Sequence, residues 1–88
     1  MKKIKWHVHA RVRLIERGID IRLVQKSLEQ PDEIIGKGLY KIIHKRYADS
    51  HNNKEYLLRI FVEDHQGEWT VLSIYRTSKI EKYWREKR

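Results

Sequence analysis

The chain has one proline, Pro31, and its hydrophobic pattern changes there: helical periodicity lies before it, and the rest reads mostly as strand. Residues from about Trp6 to Arg17 predict a helix. Val8, Val12, Ile15 and Ile19 recur at helical spacing and form one apolar stripe, which Leu14 broadens. Gly18 suits the position just past a helix end, where a left-handed backbone is needed. Asp20 is then placed to cap a second helix, Ile21 to about Gln30, with Leu23, Val24 and Leu28 inward. Pro31 disfavours helical geometry at Gln30 and stops that helix. The two helices are expected to form a hairpin with a tight joint.

Beyond Pro31, Glu33 to Ile35 reads as a short strand or edge. Leu39 to Tyr47 is rich in β-branched and aromatic residues. Tyr56 to Glu63 is the clearest central strand, and Trp69 to Tyr75 follows the turn Asp64-His65-Gln66-Gly67. Thr77 or Ser78 is placed to cap a short last helix through Trp84, before a basic tail from Arg85 to Arg88. Lys2 to Lys5 offers one more edge strand. The expected fold is a single α+β domain over residues 1–88: a helix hairpin on one face of a three- to four-stranded antiparallel sheet, with a short closing helix.

Composition bears on partners. Lys plus Arg is 20 and Asp plus Glu is 12, a net charge of +8. Such a field attracts phosphate and speeds encounter with nucleic acid, so RNA is the expected partner. With 40% hydrophobic residues the chain has the material for a core, and disorder is not expected. Cysteine is absent, which excludes disulfides, thiol chemistry and cysteine-ligated metals. No apolar run approaches the roughly 20 residues that span a bilayer. The basic start leads into Trp6-His7-Val8-His9 rather than an apolar segment, so the cytoplasm is the expected compartment and no membrane partner is expected.

Several residues are candidates for chemistry. His9, Arg13 and Arg17 share one side of the first helix, about 100° from the apolar stripe. An imidazole beside guanidinium forks is a sensible phosphate site, and an Arg13–Glu16 pair on a solvated face is the plain alternative. On the Tyr56–Glu63 strand, Leu57, Arg59, Phe61 and Glu63 share a face, and a mid-strand arginine between apolar neighbours is uncommon. Arg59 is either an anion-binding group or one half of a cross-strand pair with Glu63 or Glu68. If Leu72 and Ile74 are core, then Trp69, Val71, Ser73 and Tyr75 lie on the Arg59 face. His44, Lys45 and Arg46 add cations among aromatics, a mixture suited to single-stranded RNA, but both faces of that strand carry cations and its register stays open. His7 and His9 diverge on a helix, without further ligands at metal spacing, so no metal or other cofactor is expected. Gly36-Lys37-Gly38 is a turn and not a nucleotide-binding loop.

One resemblance covers most of the chain. The run His9-Ala10-Arg11-Val12-Arg13-Leu14-Ile15-Glu16-Arg17-Gly18-Ile19 resembles the H-A-x-x-R-x-x-E-R-G-I opening of a family of small domains of unknown function found among bacterial toxin genes. Val24 to Leu28 with Pro31-Asp32-Glu33-Ile34 resembles its V-x-x-x-L-x-x-P-D-x-I segment, and Leu58-Arg59-Ile60 and Trp69 to Tyr75 resemble its closing strands. The order of elements is similar to that of the RelE/ParE/BrnT toxin superfamily. The resemblance implies the toxin of a type II toxin-antitoxin system with a cognate antitoxin, and a metal-independent endoribonuclease that uses 2′-hydroxyl attack. It makes His9 a candidate base or acid, Arg13, Arg17 and Arg59 phosphate clamps, and Tyr75 a candidate for proton transfer or stacking. His44, Lys45 and Arg46 join the substrate-binding set. A non-catalytic module for nucleic acid or protein, including a ParE-like inhibitor of a protein target, is the alternative, and self-association stays open.

Overall fold

The computed structural model describes residues 3–85. It is α+β, with a five-stranded mixed sheet and three helices. Strand β1 is Lys3–Trp6, followed by helices α1, Val8–Glu16, and α2, Ile21–Glu29. Then come β2, Glu33–Ile35, β3, Tyr40–Ala48, β4, Glu55–His65, and β5, Glu68–Thr77, with α3, Ile80–Tyr83, last. The order across the sheet is β1-β5-β4-β3-β2. The strands from β2 to β5 form an antiparallel meander, while β1 lies parallel to β5. The expectation of three or four antiparallel strands is thus corrected to five mixed ones. The alternation in Lys3-Ile4-Lys5-Trp6 explains the addition, because Ile4 and Trp6 turn inward against the core. Lys2, proposed for that strand, and residues 86–88 of the basic tail lie outside the described residues.

Local chemistry explains the helix ends. The N–H of Gly18 donates to the Ile15 carbonyl and that of Ile19 to the Leu14 carbonyl, with Gly18 at φ +62°. This is a Schellman closure, and Leu14 and Ile19 are both buried. The Asp20 carboxylate accepts the Arg22 N–H at 2.8 Å and caps α2. The short left-handed joint splays the helices instead of pairing them: α1 rests on β5 and α2 on β3. The expected hairpin is corrected accordingly. Between β4 and β5, Gln66 and Gly67 both have positive φ, the geometry of a two-residue hairpin turn.

The apolar stripe of α1 is also corrected. Val8, Val12 and Ile15 are 66%, 47% and 79% exposed, whereas Ala10 and Leu14 are buried. Ala10 has no bulk beyond Cβ, so the helix can approach the sheet closely on that side. Ala10, Leu14, Ile19, Val24 and Leu28 pack on Ile43, Leu58, Ile60, Val62, Trp69, Val71 and Ile74. A further correction concerns β5. Val62 pairs with Val71 but Phe61 pairs with Ser73, so Leu72 is one residue extra. This bulge inverts the alternation, turning Trp69 and Val71 to the helix side while Ser73 and Tyr75 stay with Arg59. Among the described residues no helix is long and apolar enough to cross a membrane.

Helix α3 lies on the other face of the sheet from α1 and α2. Leu57 and Ile80 are buried outside the helix-side core. The chain then crosses the strands: Tyr83 lies over Arg59 of β4, Trp84 stacks on His44 of β3, and the Arg85 N–H reaches Glu33 of β2.

Candidate functional site

Strand register aligns four polar residues in one row on this second face. Glu33 stands opposite His44, His44 opposite Arg59, and Arg59 opposite Tyr75. Directly opposed side chains on one sheet face are close neighbours, so the row becomes a hydrogen-bonded chain. His44 Nδ1 lies 2.7 Å from the Glu33 carboxylate, and Arg59 Nε–H donates to His44 Nε2 at 3.1 Å. Arg59 also donates to the Tyr75 hydroxyl. The Arg85 N–H donates to both Glu33 oxygens at 3.1 Å. These partners assign the proton of His44 to Nδ1. Burial lowers the His44 pKa, with the charges of Arg59 and Arg85 acting in the same direction against the pull of Glu33. His44 is therefore a neutral imidazole at pH 7.

At the Tyr75 end three cations converge. Arg17, at the end of α1, donates to the Ile74 carbonyl, and its guanidinium lies 5.9 Å from the Tyr75 ring centre. Arg17 reaches this position because β1 pairs only with residues 68–71 of β5, so the Ile74 carbonyl lies past the end of that pairing. The Arg59 guanidinium is 4.1 Å from the Tyr83 ring, 5.5 Å from Tyr75 and 5.2 Å from Phe61. Lys82 Nζ lies 5.4 Å from the Tyr83 ring. Among the described residues no carboxylate is within 4.0 Å of Arg17, Arg59 or Lys82. Tyr83 is held below the ordinary tyrosine range by a hydrogen bond with the Tyr75 hydroxyl, then by the charges of Lys82 and Arg59. Cations without carboxylate partners beside an acidified phenol can bind an oxyanion and exchange a proton with it.

The other expected site residues fall in different places. Arg17, Arg59 and Tyr75 come together. His44 and Arg46 share their face, but Arg46 is neutralised by Glu55 at 2.6 Å and covered by Trp84 at 5.2 Å. Lys45 points to the helix side, where it ties the Gln30 carbonyl and Asp32. Arg13 pairs with Glu16 at 3.3 Å. His9 lies two turns from Arg17, about 12 Å along the axis, in the helical layer. Its ring stacks on His7, with ring centres 4.9 Å apart. The cross-strand pair of Arg59 with Glu63 or Glu68 does not form: Glu63 partners His65, and Glu68 partners Lys5 and Lys3. The sequence reading missed Glu33, Lys82, Tyr83 and Trp84. Its one available signal was the alternation of cations and aromatics in Lys82-Tyr83-Trp84-Arg85.

Among the described residues no group of three or more His, Asp or Glu side chains is arranged to hold a metal ion. A groove formed by Ile4, Trp6, Leu28, Pro31, Ile34 and Trp69 opens on the helix side, away from the polar row, and carries no comparable cluster. Protein-family models, curated proteins and solved structures give no match to this chain.

Proposed function

We propose that this protein is an RNA-directed toxin that cleaves its substrate without a metal, with the Tyr75–Tyr83 pair as its chemical centre. The observation carrying this reading is the meeting of Arg17, Arg59 and Lys82 around the Tyr75 and Tyr83 rings, without a carboxylate within ion-pair distance among the described residues. The toxin class, and the antitoxin that would restrain it, rest on the resemblance of the His9–Ile19 run.

In this reading the three cations hold the non-bridging oxygens of one phosphate and stabilise the charge that builds as the 2′-oxygen attacks phosphorus. Tyr83, as phenolate, takes the proton of the attacking hydroxyl. Tyr75 gives a proton to the departing 5′-oxygen as the P–O5′ bond breaks. A proton then passes from Tyr83 to Tyr75 and restores the pair. The products are a 2′,3′-cyclic phosphate and a 5′-hydroxyl. His9 has no part in this arrangement.

The test is incubation of RNA with the purified chain in a chelator, with end-group analysis. Cleavage to cyclic-phosphate ends is expected, reduced about 100-fold or more in Tyr83→Phe and Arg59→Ala and unchanged in His9→Ala. Salt-dependent binding without cleavage would leave only a nucleic-acid-binding module. Neither binding nor cleavage, with a topoisomerase captured instead, would support a ParE-like inhibitor.

A further inference from the structure

The second face of the sheet has a covered half and an open half. Under α3 and the crossing segment, Leu57 and His44 are fully buried. On the other side of the polar row, Ile35, Ile42, Phe61 and Ser73 are only partly buried, and Tyr40 is 61% exposed. Register places them together: Ile35 opposite Ile42, Ile42 opposite Phe61, Phe61 opposite Ser73. Tyr40 lies two residues from Ile42 on the same side of β3. The Phe61 ring stacks on Tyr75, centres 5.8 Å apart and planes 18° from parallel. The aromatic floor thus runs on from the cationic tyrosine pair onto open sheet. Phe61 lies about 7 Å along β4 from Arg59.

We propose that this open half is a nucleobase-stacking subsite for a single-stranded polyribonucleotide. The proposal rests on the reading of Arg17, Arg59 and Lys82 as a phosphate site. One phosphate occupies that cluster, and the neighbouring base lies flat over Phe61, Ile42 and Tyr40. Charge selects the occupant. The aromatic floor joins three cations without carboxylate partners among the described residues, so the ligand crossing it must carry an anion beside a flat apolar group. A nucleotide has both. Single strands are selected over duplex because bases paired in a helix cannot offer their faces. At the far end Glu63, held by His65 at 3.2 Å, repels a second phosphate and limits the platform to about one base.

The test compares affinities by fluorescence anisotropy for a labelled single-stranded oligoribonucleotide, a backbone-matched abasic strand and a duplex. The wild-type chain is expected to bind the base-bearing single strand about tenfold tighter than the abasic one. Tyr40→Ala alters an exposed side chain and should narrow that ratio without unfolding the protein. Phe61→Leu, checked by thermal melt, should narrow it further and leave abasic binding as it was. Equal affinity of the wild-type chain for base-bearing and abasic strands would overturn the subsite and leave the phosphate reading intact. Undiminished binding of every strand by Arg59→Ala would overturn the phosphate reading itself. Sedimentation gives the remaining outcome: if Tyr40→Ala dissociates a dimer and leaves RNA affinity unchanged, this face serves a second copy and the proposal fails.

Discussion

His44 shows how one residue ties pH to stability here. Its folded pKa lies below the ordinary 6.5, chiefly because of burial. The folded state therefore binds fewer protons at this site than the unfolded chain near that pH, and stability rises with pH there. The contribution is complete above about pH 7 and declines as pH falls through 6.5 toward the lowered value. Asp64 titrates in a lower window. Its pKa is brought from 3.8 to about 2 by a hydrogen bond from Lys41 and by the Gly67 N–H. Its contribution is present above pH 4 and is lost as pH drops toward 2. Thermal melts should thus show a decline in stability between pH 7 and 5. That decline should flatten in His44→Leu, which at pH 7 should itself be less stable by roughly 1–3 kcal/mol, because Arg59 Nε–H loses its buried acceptor. A slope unchanged by the substitution would remove His44 from this role.

Among elements, α1 is the clearest case of packing deciding what periodicity leaves open. Its outer side carries Val8, Val12 and Ile15, and its inner side Ala10 and Leu14. The helix presses on the sheet through its smallest side chain. Ala10→Leu should therefore overpack the contact with β5 and cost about 1–3 kcal/mol. Ile15→Ser, on the 79% exposed side, should change stability by about 0.5 kcal/mol or less. Denaturant midpoints of the two variants decide the matter, and the reverse ranking would restore the stripe expected from sequence. The one-residue bulge at Leu72 has a comparable effect on β5. It lets Trp69 and Val71 join the helix-side core while Tyr75 remains beside Arg59.

For the whole molecule, the net charge of +8 is less telling than its distribution. Most described carboxylates are paired: Asp20 with Arg22, Asp32 with Lys45, Asp49 with Arg76, Glu55 with Arg46, and Glu68 with Lys5. Arg17, Arg59 and Lys82 stand together without a carboxylate partner among the described residues. With one phosphate of a single strand held by all three, log affinity should fall against log salt with a slope of about −0.7 from this site. Arg59→Ala should bring that slope toward zero. A titration from low to moderate salt measures both, and a slope near zero in the wild-type chain would remove phosphate contact as the basis of binding.

Much of the local structure was legible in the residues. Gly18, Asp20 and Pro31 mark the helix limits because left-handed backbone, capping and pre-proline sterics act within a few residues of chain. The strands beyond Pro31 were legible for the same reason, as were Arg59 as an unusual group in mid-strand and the position of Tyr75 on its face. Other features depend on contacts between distant segments. The buried side of α1, the parallel pairing of β1, the inversion at Leu72 and the placement of α3 on the opposite face are settled by which surfaces meet. The candidate site belongs with these. Its three cations come from positions 17, 59 and 82, and neither spacing nor charge along the chain relates them. By itself the sequence determined that this chain is an α+β domain with surplus positive charge. Tertiary structure decided where that charge gathers, because burial and strand register are set by packing across the whole sheet.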